Sequence, residues 1–364
     1  MTELLGGAIP AETRATCDDC AMCKNVVPGV ESFNPAVKCC TYVPVLANFL
    51  VGQVLADPDG EAAVGRASVE ARIAKRTAVT PLGLSRSTVP ELLYRFGSAH
   101  GFGHSRALLC PHYIDEGGGR CGIWRHRNGV CSTWFCKHER GEIGAAFWQR
   151  TQELLSTIEE ELAHWCVLEL GIGHTALARL FPAIERTERP EGFQLAASEL
   201  DDVCDPAAYA ASWGRWEGRE ADFFRACAGL MEGADFFEVM RRCGPEARIR
   251  AELVRAAWEH LSDPKLPEKL RPGQLKVIRV DSGTCRMTTY SGFDPFEMPS
   301  AVFEALHYFD GRTTEEARGA IGAAGGPTLS TGLVRKMVDF GVLVPATEIG
   351  AEDADAETLA VPAA

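Results

Sequence analysis

The sequence predicts an α+β protein that is mainly α-helical, because three different patterns follow one another along its 364 residues. Clustered cysteines in a loop-rich stretch come first, apolar residues at helical spacing fill the middle, and two strand patterns with three helical runs follow. We therefore expect a loop-rich cysteine-cluster metal-binding domain at 12–142, a helical region at 143–262 and a small winged-helix-like domain at 268–346. The acidic, alanine-rich tail at 347–364 is expected to be disordered.

The cysteine-rich region is expected to consist largely of turns. Turn sequences such as Pro28-Gly29 and Gly117-Gly118-Gly119 interrupt it, as is typical of backbone that wraps around a metal. Two helices are predicted within it, near Val45–Leu55 and Glu61–Arg76. The second has Ala, Val and Ile on one side and charged residues on the other, which is the pattern of an amphipathic helix.

The middle region carries apolar residues at helical spacing. They predict one long helix from Ala145 to Leu170, and Gly171 is its stop signal. Further helical patterns follow at Asp222–Glu232, Phe236–Arg242 and Ala247–Leu261. The segment from Pro264 to Pro267 then breaks the helical pattern and indicates a linker.

The C-terminal region predicts two short strands, three helices and a closing strand, at Leu275–Val280, Cys285–Tyr290, Ala301–Tyr308, Thr314–Ile321, Leu329–Phe340 and Gly341–Val344. This order resembles a winged-helix domain and, more weakly, the PqqD-like peptide-recognition module. The second resemblance implies that a peptide or protein binds here by strand addition. A purely structural domain packed on the middle helices is the alternative.

Nine of the fourteen cysteines fall before residue 137, in two clusters: Cys17, Cys20, Cys23, Cys39 and Cys40, then Cys110, Cys121, Cys131 and Cys136. The Cys-x2-Cys-x2-Cys spacing lets successive thiolates turn towards one metal centre, as in bacterial ferredoxins. It favours an iron–sulfur cluster of the 4Fe–4S type and leaves zinc or mononuclear iron ions open.

Composition and charge restrict the compartment and the partners. The chain is 46% hydrophobic and needs no disulfides to build a core, and Met1–Pro10 lacks the features of a signal peptide. The most apolar stretch, Val43–Ala56, is too short for a membrane span, which takes roughly 20 residues. A net charge of −13 argues against general nucleic-acid binding. We therefore expect a cytoplasmic protein whose clustered cysteines bind metal.

The assignment of ligands leaves alternatives open. The simplest partition gives Cys17, Cys20, Cys23 and one residue of the Cys39-Cys40 doublet to a first site, and Cys110, Cys121, Cys131 and Cys136 to a second. An interleaved arrangement is equally allowed by the sequence. Among the histidines near the clusters, His138 is the strongest candidate ligand, ahead of His100, His104 and His112. The later cysteines are expected in the core: Cys166, Cys204, Cys227, Cys243 and Cys285.

The two clusters resemble the YkgJ-like family of zinc- or iron-chelating proteins, known for its CxxCxxCC signature. Over about the first 140 residues, Cys121, Arg127, Cys131 and Cys136 fall on that pattern. Lys24 departs from it, because a second cysteine would follow Cys23 there, and Asn128 stands where the family has proline. The resemblance implies metal chelation and names no reaction.

The function expected from these residues is metal binding, in electron transfer, metal handling or peptide maturation. A metal-dependent enzyme that acts on a peptide held by the C-terminal module is one alternative, and a metal-responsive regulator is another. No Ser/His/Asp set, phosphate loop or dinucleotide fingerprint supports the enzyme hypothesis independently. Whether the protein is an enzyme stays open at this point.

Overall fold

The computed structural model describes residues 2–24, 30–96, 101–182, 200, 202–263, 265–280 and 283–346. About 52% of it is helical and 10% is strand, in small sheets, which confirms a mainly α-helical protein with some β structure. The described helices lack the combination of length and apolar content that a membrane crossing requires. The predicted tail at 347–364, the Pro28-Gly29 turn and His100 lie outside the described residues.

The α-helices are, in chain order, α1 Thr2–Leu5, α2 Asn48–Ala56, α3 Ala63–Lys75, α4 Thr88–Phe96, α5 Gly129–Thr133, α6 Gly141–Glu169, α7 His174–Leu180, α8 Pro206–Trp213, α9 Glu220–Met231, α10 Phe236–Ser262, α11 Ser300–Glu304, α12 Thr314–Ala323 and α13 Thr331–Asp339. The long helix predicted in the middle region is α6. The two patterns predicted around residue 244 are both helical and are joined in α10. Gly244, with φ 75°, and Pro245 kink α10 between them.

The strands are short: β1 Leu46–Ala47, β2 Val79–Thr80, β3 Gly83–Leu84, β4 Tyr113–Ile114, β5 Arg120–Cys121, β6 Leu270–Pro272, β7 Lys276–Val280, β8 Thr284–Thr288, β9 Phe296–Pro299 and β10 Leu343–Pro345. They form four small antiparallel sheets, in the orders β1-β3-β2, β4-β5, β10-β6 and β7-β8-β9. The two strands predicted in the C-terminal region correspond to β7 and β8.

The chain divides into two compact units, each built from segments that are distant in sequence. The terminal unit contains Met1–Phe33, Phe135–Arg150 and Glu252–Ala363, and the central unit contains Asn34–Trp134 and Thr151–Ala251. The domain boundaries expected from the sequence stay predictions, because compactness alone does not define an independently folding domain.

The core of the terminal unit lies in its C-terminal segment. Cys285 and Met287 alternate with half-buried residues along β8, so that one face of the strand is buried. They pack in a cluster with Phe309, Met337 and other apolar side chains. Full burial of such a side chain contributes about 1.5–3 kcal/mol. The buried position of Cys285 matches its prediction as a core residue.

The core of the central unit is helical. Helix α2 approaches α9 so closely that a Cβ at Gly52 would lie 1.9 Å from the carbonyl oxygen of Phe224, so only glycine fits there. Trp213, Phe223 and Phe224 are fully buried in this unit. The predicted core cysteines Cys166, Cys227 and Cys243 are also buried, whereas Cys204 is only half-buried.

Candidate metal centre

The two compact units divide the candidate ligands between them. The terminal unit holds Cys17, Cys20, Cys23, Cys136 and His138, and the central unit holds Cys39, Cys40, Cys110, Cys121 and Cys131. The triplet and the doublet, which are neighbours in sequence, therefore belong to different units.

In the central unit, backbone hydrogen bonds bring three of the cysteines to adjacent positions. The N–H of Cys110 donates to the carbonyl oxygen of Cys40 at 2.8 Å, and the carbonyl oxygen of Cys110 accepts from Tyr113 at 3.0 Å. Tyr113 lies opposite Cys121 in the β4-β5 ladder. Gly117, Gly118 and Gly119, all with positive φ, form the turn of this hairpin, so the predicted glycine turn positions Cys121.

Asn128 fixes the position of Cys131. Its side chain caps α5, since Oδ1 accepts from the N–H of Cys131 at 3.0 Å. Its amide Nδ2 donates to the carbonyl oxygen of Val45 at 3.1 Å. Arg127 then donates to the carbonyl oxygen of Cys131 at 3.1 Å. Asn128, which departs from the resembled family pattern, therefore caps α5 and joins it by a hydrogen bond to the segment of Val45.

The thiols of the central unit influence one another. Burial, together with the neighbouring charges of Cys131 and Cys121, raises the pKa of Cys110 to about 12. Burial likewise raises the pKa of Cys131 to about 12, with contributions from Cys121 and Cys39. The pKa of Cys39 is raised by a hydrogen bond with the Cys40 thiol and then by burial. The five cysteines of this unit thus form one connected group, here named the central thiol cluster.

The central thiol cluster has the donor chemistry of a soft-metal site. Thiolates bind metal in their deprotonated form, and a cation offsets the mutual repulsion that raises their pKa values. Three basic residues already lower the pKa of these thiols. Arg72 acts on Cys110, Arg127 on Cys131 and Lys38 on Cys39. As placed, no three Cys, His, Asp or Glu side chains among the described residues surround a single metal position. The thiols of the cluster suit a soft metal by residue type, and their side chains as placed do not surround a metal position.

His112 is buried beside the central thiol cluster. Its Nδ1 lies 2.7 Å from Oγ of Ser68, and its carbonyl oxygen accepts from the N–H of Gly122 at 2.8 Å. Burial, together with the positive charge of Arg72, lowers the pKa of His112 to about 4. Among the described residues, Nε2 has no hydrogen-bond partner although it is buried.

Glu159 also borders this region, and sequence reasoning missed it. One of its carboxylate oxygens accepts from the N–H of Gly129 at 2.5 Å, and burial raises its pKa to about 7. The sequence does contain a signal, because Glu159 takes the apolar-face position between Leu155 and Leu162 on α6.

In the terminal unit, the cysteine triplet lies in consecutive turns. Cys17 is exposed and Cys20 is half-buried, and the N–H of Cys23 donates to the carbonyl oxygen of Cys20 at 3.0 Å. The side chain of Lys24 forms an ion pair with Asp19 across the same turns.

His138 lies in a polar network centred on Asp294. Asp294, fully buried, accepts from Arg14 at 2.8 and 3.1 Å, from the hydroxyl of Tyr290 at 2.6 Å and from the N–H of His138 at 3.2 Å. Burial lowers the pKa of His138 to about 4, and its Nδ1 lies 3.4 Å from the Tyr290 hydroxyl. Asp294 carries no sequence signal beyond the proline that follows it.

Comparison with family models, with curated proteins and with solved structures finds no match to this chain. The resemblance to the YkgJ-like family therefore stays a prediction, and the functional argument depends on the residues themselves.

Proposed function

We propose that this chain is a metal-binding cysteine-cluster protein. The observation that supports this most is the central thiol cluster, where backbone hydrogen bonds bring Cys40, Cys110 and Cys121 to adjacent positions and the cluster thiols raise one another's pKa. A set of thiols that repel one another when ionised is costly to assemble, and a bound cation removes that cost.

Two kinds of metal centre suit these thiols. The spacing of the cysteine triplet favours an iron–sulfur cluster, which would serve in electron transfer or peptide maturation. Zinc or iron ions held by thiolates would serve in metal handling or structure. A cytoplasmic location belongs to the same proposal, since Cys39, Cys40, Cys110 and Cys131 are free thiols, the state kept in a reducing compartment.

We further propose that the two sites follow the two units, with Cys136 as the fourth ligand of the triplet. On one side of the triplet, Arg14 donates to the carbonyl oxygen of His138 at 2.9 Å, and Glu12 accepts from the N–H of Glu139 at 2.6 Å. The two segments are antiparallel here, because residue numbers rise from 12 to 14 as their partners fall from 139 to 138. Continued in the same direction, the first segment leads Cys17 towards Cys136.

A second chain of contacts ties the far end of the triplet to the same place. The carbonyl oxygen of Met22 accepts from the N–H of Phe33, and the Phe33 and Phe293 rings pack 5.5 Å apart. The carbonyl oxygen of Phe293 in turn accepts from Lys137 Nζ at 2.8 Å. Lys137 is adjacent to Cys136, so both flanks of the triplet are held near that cysteine.

The experiment is anaerobic purification, followed by elemental analysis for iron, zinc and sulfide and by an absorption spectrum. Iron with matching sulfide and a brown chromophore would identify an iron–sulfur protein, and zinc alone would identify a colourless thiolate site. A chain that takes up neither metal, even when the reduced protein is reconstituted with each, would refute the proposal.

A metal-dependent enzyme that acts on a peptide is the second candidate function, and one observation favours it. Strand β7 is the edge of the β7-β8-β9 sheet in the described residues, and Val277 and Val280 on it are exposed. An exposed, partly apolar edge strand is a surface to which an extended peptide can add. Titration of the full chain with unstructured peptides would test it, and Val277→Asp and Val280→Asp should each weaken a real interaction.

The regulator hypothesis gains no such support. A regulator that reads DNA needs a basic recognition helix. The basic residues of α13 are Arg335 and Lys336. Arg335 pairs with Asp339 at 3.1 Å and donates to the carbonyl oxygen of Lys265 at 2.7 Å. Lys336 lies over the Phe296 ring at 5.6 Å. Both side chains are engaged within the terminal unit, so they offer little to a phosphate backbone.

A further inference from the structure

The buried Nε2 of His112 has no hydrogen-bond partner among the described residues, and His112 follows the cluster cysteine Cys110 by two positions. Ser68 has a single hydroxyl proton, and Oγ lies 2.7 Å from the carbonyl oxygen of Gly65, to which it donates. A carbonyl oxygen cannot donate, so that proton is committed there. The contact between Ser68 Oγ and His112 Nδ1 is then a hydrogen bond only if Nδ1 carries the proton.

This assignment determines the state of the other ring nitrogen. A neutral imidazole protonated at Nδ1 has its lone pair at Nε2. In His112 that lone pair is fully buried and accepts from no donor among the described residues. A buried acceptor without a partner costs about 1–3 kcal/mol, so such an atom calls for a ligand. A ring held through one nitrogen with the other open is the usual arrangement of a metal-binding histidine.

The backbone of His112 is joined to the segments that carry two cluster cysteines. His112 follows Cys110 by two residues, and its carbonyl oxygen accepts from the N–H of Gly122, which follows Cys121 directly. Helix α3, which carries Ser68, approaches the same point, since a Cβ at Gly65 would lie 2.2 Å from the carbonyl oxygen of Gly122. The segment of His112 is therefore held beside Cys110 and Cys121, and its ring is held by Ser68.

We infer that His112, through Nε2, is a metal ligand of the central unit together with Cys110, Cys121 and Cys131, and that Ser68 is its positioning residue. This inference rests on the proposed metal-binding function. Three thiolates and one imidazole make a tetrahedral Cys3His site, which suits zinc or a single iron ion. Cys39 and Cys40, whose thiols hydrogen bond to each other, then lie beside the site and outside its ligand set.

The test measures zinc bound per chain, after loading of the reduced full-length protein and removal of excess metal. We expect His112→Ala to lower the zinc content by about one equivalent, and His112→Cys to retain it, because a thiolate replaces the imidazole. The double variant with Cys131→Ser should lose no more zinc than Cys131→Ser alone, since both residues serve one site. His174→Ala is the matched control, because His174 is an exposed histidine of the same unit and should leave the zinc content unchanged.

Ser68→Ala keeps the inference testable if His112→Ala fails to fold. It removes only the partner of Nδ1, and we expect zinc affinity at this site to fall about 10–100-fold with the helical content preserved. Full zinc content and unchanged affinity in both His112→Ala and Ser68→Ala would overturn the inference, although metal binding itself would stand. A wild-type chain that binds neither zinc nor iron would overturn both.

Discussion

The two sets of cysteines offer the same thiol chemistry on opposite kinds of backbone. In the terminal unit, Cys17, Cys20 and Cys23 lie on consecutive turns of one short segment. In the central unit, Cys40, Cys110, Cys121 and Cys131 meet through a hairpin, a helix cap and a backbone hydrogen bond between distant segments. A sequence motif therefore describes the first set, whereas only the fold assembles the second.

The two sets also differ in burial, which predicts how the loss of a ligand affects stability. Cys17 is exposed in a surface turn, so a substitution in the triplet removes a ligand and little packing. Burial raises the pKa of Cys110 and of Cys131, so a substitution there removes a ligand from a packed interior. Loss of a central ligand should therefore destabilise the fold more than loss of a triplet ligand.

The largest effect is expected from Cys131→Ser. Loss of the central metal should lower the free energy of unfolding by about 4 kcal/mol, whereas Cys20→Ser in the triplet should cost about 1–2 kcal/mol. Urea unfolding of the metal-loaded proteins measures both. Cys227→Ser, a buried cysteine in the helical core, is the control for metal content and should leave it unchanged. Equal destabilisation by Cys131→Ser and Cys20→Ser would remove the distinction between the two regions.

A second large effect should come from the polar network of the terminal unit. Asp294→Ala leaves the Arg14 guanidinium and the Tyr290 hydroxyl without their buried acceptor, and should cost about 3 kcal/mol. Asp310→Ala, in an exposed pair with Arg312, is the control and should cost under about 0.5 kcal/mol. Because Asp294 holds the segments around the triplet, its loss should weaken metal binding there and spare the central metal. A loss of central metal instead would contradict this account.

The assignment of Cys136 to the triplet site can be tested by metal content, because a lost site removes its metal completely. If Cys136 completes the triplet site, then Cys20→Ser with Cys136→Ser should lose only as much metal as Cys20→Ser alone. Cys131→Ser with Cys136→Ser should lose the metal of both sites. Elemental analysis of these three variants and of Cys131→Ser alone decides the matter, and the reverse pattern would restore Cys136 to the ligand set of Cys131.

The last effect concerns pH. Because the folded-state pKa of Glu159 is raised from 4.5 to about 7, its stabilising contribution is complete below pH 4.5 and is lost as the pH rises through 7. About 3 kcal/mol should disappear across that window. Glu159→Gln keeps an acceptor for the Gly129 N–H, so it should flatten this part of the profile and be the more stable protein at pH 8. Glu160→Gln, exposed on the same helix, should follow wild type, and parallel profiles for all three proteins would contradict the buried carboxyl.

Much of the fold follows from local pattern. The apolar spacing that defines α6 predicts it to within a few residues, and Gly244-Pro245 predicts the break that kinks α10. Helix α8 was not predicted, although its signal was present, since Asp205 caps it and Pro206 opens it. Strand β9 was also not predicted, because its four residues become a strand only by pairing with β8.

The candidate site divides in the same way. The grouping of the cysteines into two sets could be predicted, because cysteine spacing is a local property of the chain, and their role as metal ligands stays a prediction. The identity of the thiols that meet could not, since Cys40 reaches Cys110 through one hydrogen bond between distant segments. Asp294 and Ser68 were missed for the same reason, because each acts on a group that the sequence places far away.

The pairing of Arg14 with Asp294 has a consequence for biosynthesis, because these residues are separated by 280 positions. At about 5–20 residues added per second, Arg14 is added to the chain roughly 14–56 s before its acceptor. During that interval the segments that flank the cysteine triplet lack the carboxylate that holds them. A prematurely terminated chain never acquires that carboxylate.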